Sequence, residues 1–534
     1  MSKEFGDFQT PPSLVAAVLQ CLNATGKTWT RVLEPTCGRG NFIEGLLKQA
    51  DPPCEIRGIE IQEAYCQTAR KLITESGSTD IVIKQANIFD VDLRKDVQWR
   101  EKGPLLVIGN PPWVTNAELG ALESENLPRK TNVKRLRGLD ARTGEANFDI
   151  AEYIWLKLMR ELALEHPTIA LLCKTSVARH VLQAAAEMHL PITHAVLRLI
   201  DAKKWFDVAV DACLFIVESG PGEQCYEAAV YRNLRVTEPE YIIGIVEKRF
   251  VANVTAYAHS SAIEGNSLVT WRQGLKHDAA SVMELSYDGS GQLRNKIGEI
   301  VVVEPDYIYP LLKSTDVFNG AVDHPEKGVI VTQQRLGEDT CQLQQTAPQL
   351  WHYLTAHAST FEQRKSSIYE KQPPFALFGI GDYAFAPWKV AISGFHKAPR
   401  FRVVGPQAGK PVMLDDTCYF IPCPAPLEAA LLASLLNDPL CLAFINSIAS
   451  LDGKRPITKK LLQRLDLITL FKLVEKEAFV ARAGQELEKL GVCMEQEGAI
   501  LSATETLLTS YEQNNDRASA TKEQTGAIRQ LTWL

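Results

Sequence analysis

Between Arg31 and Phe42 a short apolar run, Arg31 to Leu33, passes into Glu34 and Pro35, then into a turn bearing Gly38 and Gly40, and then into a helical pattern. A strand that ends on glycines and restarts as a helix is the opening step of a parallel α/β sheet, and it demands further strands that return through helices. The chain up to about residue 220 meets that demand. Short apolar runs at Glu55 to Ile59, Ile81 to Lys84, Leu105 to Ile108 and Thr168 to Cys173 predict further strands, with helical periodicity before Cys21, after Phe42 and from Asp149 to Leu164. A closing pair of strands is predicted near Ala195 to Leu199 and Ala212 to Glu218. Neither Gly38 nor Gly40 carries a Cβ, so the backbone can turn tightly and come close to a ligand. Ile43 stands where a G-x-G-x-x-G fingerprint needs its third glycine, and no lysine-bearing phosphate loop is present. Both absences argue against NAD and ATP and leave a ligand without a phosphate.

Other polar residues fall at strand ends on the same side. Glu60 closes the run GIEI, where a carboxylate can accept both hydroxyls of a ribose. Asn87 follows the next strand and can meet a base edge, with Ile88 against the ring face. The sharpest feature is VIGNPPW, in which Asn110, Pro111, Pro112 and Trp113 directly follow a strand. Two prolines fix the corner and contribute carbonyls without N–H groups of their own. Such a corner can hold the Asn110 side-chain oxygen and the Pro111 carbonyl near one amino group, with Trp113 as a flat surface for an extruded base.

These motifs together resemble the S-adenosylmethionine-dependent DNA adenine-N6 methyltransferases of gamma motif order, found in restriction-modification and related phage-defence systems. The glycine turn matches their Asp-Pro-Ala-Cys/Ser-Gly-x-Gly pattern at Glu34, Pro35, Gly38 and Gly40, and departs from it at Thr36 and Arg39. The segment GDFQTPP resembles the family's upstream motif, in which Thr10 would bind the methionine carboxylate. WFDVAVDACLFIV resembles a late motif that places an aromatic residue, by position Phe206 with Trp205 the alternative, opposite Trp113. Asn87 stands where the family carries an aspartate. The resemblance runs from about residue 5 to 470 and includes WRQGLKHDA from Trp271, YIYPLLKSTDV from Tyr307, FALFGIGDYAFAPWKVA from Phe375, DDTCYFIP and LDGKRPITKKLL. It implies a Rossmann-like catalytic domain with a mostly parallel sheet over residues 1–225. A mixed α+β target-recognition domain would occupy 226–470, and a helical tail 471–534. The implied cofactor is S-adenosylmethionine, the implied substrate double-stranded DNA, and the implied partner a separately encoded cognate restriction endonuclease. Asn-Pro-Pro-aromatic also occurs in enzymes that methylate protein glutamine or RNA, and an inactive DNA-binding subunit is a further alternative.

Charge sets where DNA could be held. The net charge of −7 excludes a uniformly basic surface but not a local one. Arg129, Lys130, Lys134, Arg135, Arg137 and Arg142 crowd one stretch against the single acid Asp140. Lys389, His396, Lys397 and Arg400 form a second group, and Lys454, Arg455, Lys459 and Lys460 a third. All are candidates for phosphate contact. The 12 cysteines form no CxxC pair, so no metal site is expected and a reducing cytoplasm is the simplest setting. No run approaches the roughly eighteen apolar residues of a membrane span, and a monomer suffices for the implied reaction.

Overall fold

The computed structural model describes residues 9–75, 79–114, 149–287, 292–449, 455–494 and 496–531, with side chains as far as 514. It divides into two compact units that meet in sequence at Thr255 and Ala256. The first is built on a ten-stranded sheet. Its strands are β1 (Arg31–Glu34), β2 (Glu55–Glu60), β3 (Asp80–Gln85), β4 (Leu105–Gly109), β5 (Thr168–Lys174), β6 (His194–Asp201), β7 (Asp211–Glu218), β8 (Glu227–Tyr231), β9 (Tyr241–Val246) and β10 (Arg249–Val251). Across the sheet they run β3-β2-β1-β4-β5-β7-β6-β8-β9-β10. The half from β3 to β5 is parallel, and β7 lies antiparallel between β5 and β6.

Alternation along each strand feeds two helical layers. Val32, Leu106 and Ile108 point to the core shared with α1 (Pro12–Asn23) and α2 (Asn41–Leu47). Leu33, Leu105 and Val107 point to the core shared with α4 (Ile150–Glu161) and α5 (Thr175–Met188). The sheet is therefore buried on both faces, which is why its strands read as near-continuous apolar runs. The helix α3 (Glu63–Arg70) joins β2 to β3 on the first of these faces. The order of β3 to β5 reverses between β1 and β4, and crevices for ligands open at the carboxyl ends of strands where the order reverses.

The expected boundary at residue 225 falls inside this sheet. After β7 the chain adds β8 parallel to β6 and then the antiparallel β9 and β10. Ala228 and Val230 of β8 are buried while their neighbours are half-buried, so the strand lacks the continuous apolar run that marks the central ones. A cut near Ser219 would remove three strands from the first unit.

The second unit carries two smaller sheets. One has five strands: β12 (Glu284–Tyr287), β13 (Leu293–Asn295), β14 (Ile308–Leu312), β15 (Lys327–Ile330) and β18 (Met413–Leu414). The other has four: β11 (Arg272–Gln273), β16 (Trp388–Ser393), β17 (Phe401–Val404) and β19 (Cys418–Cys423). Helix α7 (Pro426–Leu436) is buried from Ala429 onward, and α8 (Pro439–Ile448) follows it at a bend of 63°. The tail expected as a separate piece is part of this unit. In α9 (Lys476–Lys489) Phe479 is fully buried and Arg482 pairs with Asp438. In α10 (Glu497–Leu531) the Tyr511 hydroxyl donates to Glu428. Polar composition concealed this packing, because each helix buries only a narrow stripe. Among the described residues no single helix is long and apolar enough to cross a membrane.

Candidate active site

At the carboxyl ends of β1, β2, β3 and β4 the first unit holds a cavity that opens to solvent. The glycine turn forms one wall. Gly38 has φ +52°, and its N–H donates to Glu60 Oε2 at 2.9 Å. Glu60 Oε1 accepts the Gln62 N–H at 2.8 Å, so one carboxylate ties the turn to the loop after β2. Glu60 also lines the cavity. Gly40 does something else. It begins α2 and a Cβ there would lie 2.8 Å from Leu72, so its bareness serves helix packing rather than ligand approach.

Glu34 is buried at the end of β1, with one oxygen, Oε2, that no group among the described residues satisfies. Burial, reinforced by the nearby Glu60 charge, pushes its carboxyl well above the usual range, while the Ile43 amide at the start of α2 pulls it down. Thr36, one of the departures from the family pattern, lines the cavity and its buried hydroxyl also lacks a partner. An unsatisfied buried carboxyl beside an unsatisfied hydroxyl calls for a cationic donor, since each such group left alone costs about 1–3 kcal/mol. S-adenosylmethionine carries an ammonium whose N–H groups can donate to both oxygens, so the pair fits it.

The N-terminal motif reaches the site through Gln9. Its Oε1 accepts the Arg39 N–H at 3.3 Å, and it lines the cavity. Thr10 is buried behind it, with its carbonyl accepting from Asn41 Nδ2 at 2.8 Å. Ile88 lies in the opposite wall with Ile59, Ala86 and Phe89, an apolar slot suited to a planar ring. Asn87 also lines the cavity, and its Oδ1 accepts the Phe89 N–H at 3.0 Å. Gln9, Tyr65 and Phe89 went unread in the sequence, and Thr36 stood there only as a departure from the glycine-turn pattern.

Asn110 and Pro112 line the same cavity. Helix α4, whose Ile150 and Ile154 face it, is capped by Asp149, and Lys174 at the end of β5 pairs with Asp149 at 2.8 Å. That ion pair pins the helix to the sheet beside the Asn110 corner. Trp113 corrects the expectation of an open stacking surface. Its indole is buried, its Nε1–H donates to the Leu172 carbonyl at 3.3 Å, and it packs with the α1 and α2 core. Phe206, on the five-residue helix α6 (Ala202–Phe206), meets Trp113 edge-to-face at 5.2 Å. A base cannot lie between the two rings until they separate.

Of the cationic candidates, Arg129, Lys130, Lys134, Arg135, Arg137, Arg142 and Lys454 lie outside the described residues. Lys397 and Arg400 are exposed. Arg455 is half-buried and bonded to Asp416 through the carboxylate and the carbonyl. Lys389 corrects the sequence reading: it is 1% exposed, in the middle of the four-stranded sheet, and its Nζ donates to the Ala386 carbonyl at 2.7 Å. It cannot reach a phosphate. β16 is buried on both faces from Lys389 to Ser393, so the lysine is enclosed whichever face it takes, a fact invisible to a count of charges.

No protein-family model matches the chain. Its fold is similar to that of the Type IIL restriction-modification enzyme MmeI, solved in complex with DNA. The TM-score is 0.51 and the identity 14%, over 94% of this chain and 76% of that one. It is 37% identical over 472 residues to the Type II methyltransferase M.NspV of Nostoc sp. (strain ATCC 29411 / PCC 7524), covering 88% of this chain and 98% of that protein. With that identity over nearly the whole relative, and a cavity whose unsatisfied groups suit S-adenosylmethionine, the chain belongs to the S-adenosylmethionine-dependent Type II methyltransferases.

Proposed function

We propose that this chain methylates the exocyclic N6 amino group of adenine within a specific sequence of double-stranded DNA, as the modification enzyme of a restriction-modification or related defence system. The observation that carries this reading is the Asn110–Pro112 corner, which follows β4 and lines the same cavity as Gly38, Glu60 and Ile88. The cofactor supplies an electrophilic methyl group when bound. The chain's part is to hold the acceptor. Asn110 Oδ1 and the Pro111 carbonyl would accept the two N6 hydrogens, which favours a pyramidal nitrogen with an available lone pair and aligns it for in-line transfer. The nitrogen gives up its extra proton to solvent once it holds the methyl group, so no ionised base need act first. Trp113 and Phe206 would part to admit the flipped base, a step driven by stacking. Lys397 and Arg400 supply exposed positive charge for the phosphates.

Labelled methyl transfer to duplex DNA, RNA and protein, run side by side, tests the reading. Label should enter DNA alone and appear as N6-methyladenine at one recurring sequence. Label in RNA or in a protein glutamine would overturn it.

A further inference from the structure

The Asn110 corner lies past the end of the sheet ladder, because the pairing of β4 with β5 stops at Gly109 and Leu171. A direct tie back to β5 is the Trp113 indole, whose Nε1–H donates to the Leu172 carbonyl at 3.3 Å. A second tie passes through α4. The Val114 carbonyl, one residue beyond the corner, accepts the Ile150 N–H at 3.0 Å. Asp149 then uses both carboxylate oxygens: Oδ1 accepts the Ala151 N–H at 3.0 Å, and Oδ2 meets Lys174 Nζ at 2.8 Å. Lys174 is the last residue of β5, two places after Leu172. Ile150 and Ile154 of the helix held in this way line the cavity with Asn110 and Pro112.

Both charges are largely removed from water, with side chains 8% exposed at Asp149 and 21% exposed at Lys174. Burial raises the Asp149 carboxyl, and the Lys174 ammonium is the first influence that opposes it. Such a pair contributes little net stability, because desolvating two charges costs about as much as their attraction returns. What it fixes is direction, since the carboxylate is bonded to the start of the helix on one oxygen and to the end of a strand on the other. A flipped base enters only when Trp113 and Phe206 part, a movement that loads the indole tie and leaves the tie through α4 intact. We infer that Lys174 is a positioning residue for methyl transfer. Through Asp149 it holds the start of α4, and through Val114 the Asn110 corner, in the geometry that receives the target amino group. This rests on the reading that the chain methylates DNA.

Single-turnover methylation of duplex DNA by the full-length protein, at saturating cofactor and DNA, yields a rate constant that does not depend on how much of the protein is folded. Lys174→Met should lower that rate constant by about ten- to a hundredfold, the size of effect that a misplacement of about 1 Å produces. Cofactor affinity, read by calorimetry, should change far less. Lys174→Arg keeps a cation at the end of β5 and should recover most of the rate. Asp149→Asn combined with Lys174→Met removes both charges and keeps a side-chain acceptor for the Ala151 N–H, so it should fold and still be slow. In an Asn110→Ala background Lys174→Met should slow the reaction much less than it does alone, because a group that acts through the corner has less left to position. A pair with a structural role only would lower the melting temperature and the reaction amplitude and leave the rate constant of each Lys174 variant at the wild-type value. That result, or full additivity with Asn110→Ala, overturns the inference. If the wild type transfers no methyl group to DNA, the proposed function fails first and this inference with it.

Discussion

The two units use their diagnostic motifs for opposite ends. In the first, Gly38 of VLEPTCGRGNF leaves space beside a cavity, and a Cβ there would meet only the flexible end of Gln9 at 3.0 Å. In the second, Gly274 of WRQGLKHDA leaves space for backbone, and a Cβ there would lie 2.1 Å from the Asp415 carbonyl oxygen. Around Gly274 three of the segments that carry the resemblance cross. Leu275 N donates to the Leu414 carbonyl, Lys276 and Phe378 exchange two backbone bonds at 2.9 Å, and Gln273 Nε2 donates to the Asp416 carbonyl. A motif in the catalytic unit builds a site, whereas a motif in the second unit builds the frame. The groups that suit DNA contact, on the loop of residues 394–400, stand outside that crossing.

The largest effect expected on the catalytic side is at Asn110. Asn110→Ala removes an acceptor felt mainly in the transition state, so turnover should fall by about a hundred- to a thousandfold with cofactor affinity close to normal. Rapid-quench methyl transfer and calorimetry measure the two terms. An unchanged turnover number would remove the corner from the chemistry and break the contrast between a site motif and a frame motif.

A paired substitution sharpens that contrast. Gly274→Ala forces backbone apart and should destabilise the second unit by about 3–5 kcal/mol, within the range of severe core lesions, while the first unit still binds cofactor. Gly38→Ala places an alanine at a left-handed φ and should cost only about 1–2 kcal/mol of stability, with the loss concentrated in cofactor affinity. Denaturant unfolding followed alongside cofactor binding distinguishes them. Equal losses of stability from both would mean that the two glycines do the same work.

Much of the first unit was legible because its strands are buried on both faces and its turn residues are bound to their conformations. The positions of the parallel strands and of the glycine turn between β1 and α2 followed from that. The edge strands β8 to β10 were not, since only part of each is buried, through Ala228, Val230, Ile243 and Val251, and the other side chains are half-buried or exposed. Trp113 misled for a related reason. An aromatic after a rigid corner can face a ligand or the core, and only the Leu172 carbonyl that satisfies its indole N–H decides between them. In the second unit the cationic clusters were visible, but whether a lysine points outward depends on strand register, which a charge run does not encode.

A smaller effect is expected from Glu34→Gln. The Glu34 carboxyl is held well above its usual value by burial and by Glu60, so its contribution to stability is full below the ordinary carboxyl range and is lost as pH rises through the raised value. A cationic ligand reverses the cause, so cofactor binding should expel a proton and tighten as pH rises through that interval. The variant should bind about tenfold more weakly at high pH and lose the pH dependence, since a hydrogen bond to a charged group contributes about 1.5–3 kcal/mol. Calorimetry in buffers of different ionisation enthalpy reads the proton directly. A pH dependence that survives in the variant would assign it to another group.

The smallest effect separates framework from DNA contact within the second unit. Lys389 and Lys397 belong to the same basic cluster in sequence, but one lies inside the four-stranded sheet and the other on the hairpin tip. Burial holds the Lys389 ammonium down to about 7, against an ordinary value of 10.5. Between those values the unfolded chain carries a proton that the folded one lacks, so folding stability should rise with pH across the window and lose that gain as pH falls back through about 7. Lys389→Met keeps the volume and removes the titration, at the cost of the bond to the Ala386 carbonyl, worth about 1 kcal/mol. The avoided desolvation offsets that cost, so net stability near neutral pH should change by no more than about 1 kcal/mol and the slope above it should flatten. DNA affinity and its salt dependence should stay as in the wild type, whereas Lys397→Glu should weaken both. If Lys389→Met instead reduced the salt slope, the lysine would have to reach a phosphate. The sheet interior around it would then open when DNA binds, and the division between a rigid frame and a DNA-contact loop would fail at its centre.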